Sequence, residues 1–76
     1  GGPAKIAQKV GEEAVETVIE AARANKEGVI SESADLLYHL LALWAASGVA
    51  PEEIWGALES RKGTSGIAEK AARKQD

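Results

Sequence analysis

The sequence predicts an all-α protein, a small antiparallel bundle of three main helices plus a short C-terminal helix, completed by dimerisation. Three observations predict it. Apolar residues recur at helical spacing over two long stretches, and Asn25, Gly48 and the Gly63-Thr64-Ser65-Gly66 run divide the chain into helix-length pieces. No βαβ pattern, internal repeat or low-complexity tract occurs.

The first element runs from Pro3 or Ala4 to Ala24, with Pro suited to a first helical turn and Asn25 as the stop. Ile6, Ala7, Val10, Ala14, Val18, Ala21 and Ala22 form one broad apolar side, and Lys9, Glu12, Glu13, Glu16 and Glu20 fall opposite. Gly11 inside this helix costs about 1 kcal/mol relative to Ala. Close packing against a neighbouring helix and room for a ligand are both compatible with it. The second element runs from Lys26 or Glu27 to Ser47 and stops at Gly48, although Ser31 can cap a shorter helix beginning at Glu32. Its ADLLYHLLALWAA segment is apolar over most of its circumference, which requires cover on more than one side and makes it the central helix of the bundle, at or near a subunit interface. Gly28 is a local weakness in its first turns.

The third element starts at Pro51, with acids in its first turn and bases in its last, as the helix dipole favours. Gly63-Thr64-Ser65-Gly66 is expected to break it, leaving IAEKAARKQD as a short final helix or tail. Trp44, Trp55 and Tyr38 read most simply as core or interface residues.

With 76 residues the chain is a single domain whose core buries only about 60% of its unfolded surface, so oligomerisation would supply missing burial. Cysteine is absent, which removes disulfides, thiolate zinc sites and thiol nucleophiles. A formal net charge of −3 gives no basic field for nucleic acid. No apolar run approaches the roughly 20 residues needed to cross a bilayer and no signal peptide opens the chain, so a soluble cytoplasmic protein is expected.

The acids carry the chemistry. At about 100° of rotation per residue, Glu13, Glu16 and Glu20 share a helical face, and Glu32 and Asp35 stand one turn apart on the second helix. A solvated acidic face accounts for the first set. The second set lies on a stripe with His39, Ala42 and Ala46, on a helix that is otherwise mostly leucine. Burial of a carboxylate there requires compensation, by a Lys or Arg partner or by a bound cation. Mg²⁺ suits oxygen ligands that bridge carboxylates to substrate phosphates, and Mn²⁺ can substitute. His39 reads either as a structural core residue, as a hydrogen-bond partner of Asp35 or as a substrate contact. Lys5 and Lys9 can be solvated or meet phosphate, and Arg61, Lys62, Thr64 and Ser65 can be a plain loop or a phosphate-holding turn.

The strings KIAQKVGEEAVETVIEA, SESADLLYHLL and RKGTSGIAEKAARK resemble the phosphoribosyl-ATP pyrophosphohydrolase family of the all-α NTP pyrophosphohydrolase superfamily, over nearly the whole chain. The superfamily motif, E-x-x-E followed after a variable spacer by E-x-x-D, is met by Glu13, Glu16, Glu32 and Asp35. The resemblance implies Mg²⁺-dependent hydrolysis of phosphoribosyl-ATP to phosphoribosyl-AMP and pyrophosphate, the second step of L-histidine biosynthesis. It implies Glu13, Glu16, Glu32 and Asp35 as metal ligands, and Glu12 as a further ligand or as the base that orients water. It also tips Arg61, Lys62, Thr64 and Ser65 toward substrate binding, especially across a dimer. In the family pattern a segment with a helix and a Ser-Tyr-Thr-containing stretch precedes the position of Pro3, so an N-terminally shortened form is expected. A house-cleaning nucleoside triphosphate pyrophosphohydrolase and an inactive helical oligomerisation module are the alternatives.

Overall fold

The computed structural model describes residues 2–73, with side chains described for residues 2–62. Helix α1 spans Gly2–Ala22, α2 spans Lys26–Ala46 and α3 spans Pro51–Arg73; no strand occurs among the described residues.

The ends of the helices follow from their capping chemistry. α1 stops two residues short of the expected Ala24 because Ala24 turns left-handed, at φ 57°. The Asn25 amide then donates to Glu20 O at 3.0 Å and the Ala24 amide to Ala21 O at 3.0 Å, the two bonds of a Schellman ending. Asn25 also starts the next helix, since its side chain accepts the Gly28 N–H at 3.2 Å. The shorter α2 beginning at Glu32 is therefore corrected: with the first-turn donors capped at Asn25, Ser31 lies inside the helix. α2 closes with a second Schellman ending, on Gly48 at φ 74°, with Val49 N donating to Trp44 O at 2.8 Å. At the start of α3, the Ala50 amide donates to Glu53 Oε2 at 2.9 Å and Pro51 occupies the first helical position.

α3 continues through Gly63-Thr64-Ser65-Gly66 to Arg73, so the expected break and the separate short C-terminal helix are corrected. Each glycine costs about 1 kcal/mol relative to Ala, but neither removes a donor as proline would. Extending an existing helix into the favourable AEKAAR run avoids a second nucleation.

α1 and α2 pack as a hairpin. Along their seam Glu20 sits by Gly28, Glu16 by Glu32 and Glu13 by His39, an order that runs in opposite directions on the two helices. The half-buried positions of α1 are Ile6, Val10, Glu13, Ala14, Thr17 and Glu20, a helical stripe turned toward Val29, Ser33, Leu36, Leu40 and Leu43 of α2. This corrects the expected division of α1. Glu13 and Glu20 lie along the seam, while Val18, Ala21 and Ala22 face out. α1 carries two apolar arcs, Ile6-Val10-Ala14 and Val15-Val18-Ile19-Ala22, and only packing decides which one meets α2.

Rotation about each axis places the acids on one side of the seam and the exposed apolar residues on the other. Because the helices run in opposite directions, both acid sets fall on one face of the hairpin and both apolar sets on the opposite face. The apolar face exposes Val15, Val18 and Ile19 of α1 with Ile30, Leu37 and Leu41 of α2. Gly11 lies on this side in open space, with nothing within 4 Å of a Cβ built there, so it meets no neighbouring helix within the chain.

α3 leaves the hairpin. Among the described residues it meets the other helices only near its start, where Trp44 and Trp55 stack edge-to-face at 5.7 Å and 82°. The Cα trace measures 46 × 35 × 16 Å, too thin for a further helix layer on the hairpin. Among the described residues no side chain is fully buried. The cover that α2 requires on a second side does not come from the described residues of its own chain.

Candidate active site

Hairpin geometry brings Glu13, Glu16 and Glu20 from α1 to the same face as Glu32, Asp35 and His39 from α2. The Glu16 and Glu32 carboxyls meet across the seam, and the hydrogen bond that they share when one of them is protonated raises the Glu32 carboxyl above the usual carboxylate range. Lost solvation and the negative charges of Glu16, Asp35 and Glu20 push in the same direction. The Glu13 carboxylate, only 13% exposed, takes a 2.6 Å hydrogen bond from His39 Nδ1. His39 Nδ1 also faces the main-chain oxygen of Asp35 at 3.1 Å, so its bond to Asp35 is to the backbone and its side-chain partner is Glu13.

The cations go elsewhere. Lys9 pairs with Glu12 at 3.8 Å and Arg23 with Glu20 at 3.8 Å, and among the described residues no Lys or Arg pairs with Glu16, Glu32 or Asp35. Glu12 lies on the exposed edge of α1, where Gln8 also donates to it at 3.3 Å. Arg61 and Lys62 are exposed on α3, about 15 Å along the helix from Pro51 at 1.5 Å rise per residue, and the fold does not bring them to the acids of their own chain. Thr64 and Ser65 lie outside the residues whose side chains are described.

Glu20 was expected at the surface and instead belongs to the seam. Its side chain is 20% exposed, accepts a 2.8 Å hydrogen bond from Asn25 Nδ2 and adds to the field on Glu32. Its position one turn beyond Glu16 was the available signal. Gly28 has a reason as well: a Cβ there would stand 2.6 Å from Glu20 Oε1, so the glycine makes room for that carboxylate.

Among the described residues no three His, Asp or Glu side chains converge to enclose one ion. The donor set nevertheless fits Mg²⁺. That ion is commonly held by one or two carboxylates with the remaining positions left to water and phosphate, and two carboxylates pressed together without a cationic partner are a suitable pair.

The fold and the site define an all-α protein that gathers the acids of two consecutive helices on one face of a hairpin. A family model described as phosphoribosyl-ATP pyrophosphohydrolase matches residues 1–62. A phosphoribosyl-ATP pyrophosphatase of Azospirillum brasilense is 68% identical over 73 residues, which are 96% of this chain and 66% of that protein. The phosphoribosyl-ATP pyrophosphatase of Gluconobacter oxydans is 59% identical over 75 residues, 99% of this chain and 56% of the relative. That of Granulibacter bethesdensis is 62% identical over 72 residues, 95% and 45% respectively. The chain belongs to the phosphoribosyl-ATP pyrophosphohydrolase family. It spans less than two thirds of the length of these three relatives.

Proposed function

We propose that this chain serves the Mg²⁺-dependent hydrolysis of phosphoribosyl-ATP to phosphoribosyl-AMP and pyrophosphate, the second step of L-histidine biosynthesis, in the cytoplasm. The observation that carries this reading is the Glu16–Glu32 pair, two carboxylates from different helices held together with no Lys or Arg beside them among the described residues. The names of the relatives supply the substrate class.

Glu13, Glu16, Glu32 and Asp35 would hold the Mg²⁺, with Mn²⁺ as a possible substitute. When bound, the ion supplies charge neutralisation for the triphosphate and a fixed position for water. Water attacks at the bond between the α and β phosphates; the new P–O bond forms as the bridging oxygen departs with pyrophosphate. Glu12, one turn before Glu16 on α1, would take the proton of that water. Lys9 beside Glu12 is assigned to substrate phosphate at the rim of the site.

Arg61 and Lys62 would need a second copy to reach the acids, since α3 leaves its own hairpin. A homodimer in which the apolar faces of two hairpins meet completes the helical bundle and covers Val18 and Leu37. No helix among the described residues is long and apolar enough to cross a membrane.

The test is pyrophosphate release from phosphoribosyl-ATP with and without Mg²⁺, together with the Glu32→Gln and Asp35→Asn variants. Release that depends on the metal and is lost in both variants is the expected outcome. Undiminished activity in the variants removes the metal assignment, and faster turnover of ordinary nucleoside triphosphates redirects the substrate.

A further inference from the structure

We propose that His39 is a positioning residue: its imidazole fixes the Glu13 carboxylate from the opposite helix and holds it ready as a ligand. Two acceptors face His39 Nδ1, Glu13 Oε1 at 2.6 Å and the main-chain oxygen of Asp35 at 3.1 Å. A carbonyl oxygen can only accept, so the nitrogen between them carries the proton and donates to both. The ring is thereby set in one tautomer and one orientation. Glu13 is set in turn, with Oε1 pinned to His39 and Oε2 without a protein hydrogen bond among the described residues.

The same turn of α2 that carries Asp35 provides the anchor, because the Asp35 carbonyl steadies the ring that steadies Glu13. The contact links residues 26 apart in sequence and joins the two helices that bear the proposed ligands. Mg²⁺ demands near-octahedral geometry and gives up water reluctantly, so a carboxylate already held in place binds it better than one that must be ordered. Hydrogen-bond partners behind metal ligands typically change affinity or activity by about 10- to 100-fold. An ordinary helix-to-helix staple would stabilise the hairpin without touching metal affinity.

This inference rests on the reading of Glu13 as a ligand, and the experiment separates the two. Mn²⁺ affinity is measured by calorimetry and by electron paramagnetic resonance on the whole protein, beside thermal unfolding of the metal-free form. His39→Leu is expected to weaken Mn²⁺ binding about 10- to 100-fold. His39→Asn, whose Nδ2 amide occupies the position of Nδ1–H, is expected to restore most of that loss. In a Glu13→Gln background, His39→Leu should cause no further weakening. If His39→Leu lowers the melting temperature but Mn²⁺ affinity stays within about twofold, or if Asn fails to restore it while remaining folded, the positioning role is overturned. Failure of the unsubstituted protein to bind Mn²⁺ overturns the ligand reading and this inference together.

Discussion

Substitution at Leu37 separates the apolar face of the hairpin from its acid face. Leu37 is 52% exposed in the single chain and lies on α2 on the side away from Glu32 and Asp35. Full burial of a leucine side chain is worth about 1.5–3 kcal/mol, so about 1 kcal/mol remains to be gained when a partner covers the exposed half. A twofold dimer contains the residue twice, which makes about 2 kcal/mol, or a weakening of about 30-fold in the dimer dissociation constant for Leu37→Ala. Leu37→Glu adds an unpaired carboxylate from each copy, at several kcal/mol apiece, and should leave monomers at micromolar concentration. Neither variant should unfold the hairpin, because the altered atoms face out. Sedimentation velocity over a concentration series, with circular dichroism as the check on helix content, reads the effect. Unchanged sedimentation of both variants, or a monomeric unsubstituted protein at every concentration, refutes the assignment of this face to a second copy.

Three further outcomes follow from the same geometry. The Glu32 carboxyl is raised, chiefly by its hydrogen bond with Glu16, so its contribution to stability is complete below the usual carboxylate value and lost as pH rises through the raised one. The melting temperature of the metal-free protein relative to Glu32→Gln should therefore fall across that window, and Mg²⁺ should recover it only for the unsubstituted chain; parallel pH profiles for the two proteins would contradict the pair. Ala24→Gly should stabilise by about 1 kcal/mol in urea titration, since Ala24 holds a left-handed φ of 57° where the equivalent residue ending α2 is Gly48. Gly28→Ala should fall short of the about 1 kcal/mol that Ala gains over Gly inside a helix, because its Cβ must displace the Glu20 carboxylate and the Asn25 amide, and more of that gain should appear in a Glu20→Ala background; the same gain in both backgrounds would show that the crowding at Glu20 is not the cause.

How far the site was legible in the sequence is best seen on α1. Spacing places Glu13, Glu16 and Glu20 on a common face, and the E-x-x-E and E-x-x-D strings pair that face with Glu32 and Asp35. What spacing lacks is the direction of the seam, because α1 offers two apolar arcs of similar width and periodicity ranks neither. Glu20 falls outside those strings, and periodicity alone does not mark it as a seam residue. His39 was visible as a polar residue on a leucine helix, but its partner lies 26 residues away on the other helix, beyond any local pattern. The glycines mislead in a related way: Gly28 reads as a weakness and proves to be space for Glu20, while Gly63 and Gly66 read as a break that α3 passes through.

The number of long helices, their boundaries near Asn25, Gly48 and Pro51, and the identity of the acids were readable from the chain alone, because these rest on local hydrogen bonding and on side-chain chemistry within a few residues. Tertiary structure alone decided the rest. Packing Ile6, Val10 and Ala14 against Leu36 and Leu40 rotates Glu13 and Glu20 into the seam, sets Glu16 against Glu32, gives Glu13 to His39 and turns Val18 and Leu37 outward. Each of these outcomes depends on which faces of two helices meet, a choice made by burial between segments distant in the chain.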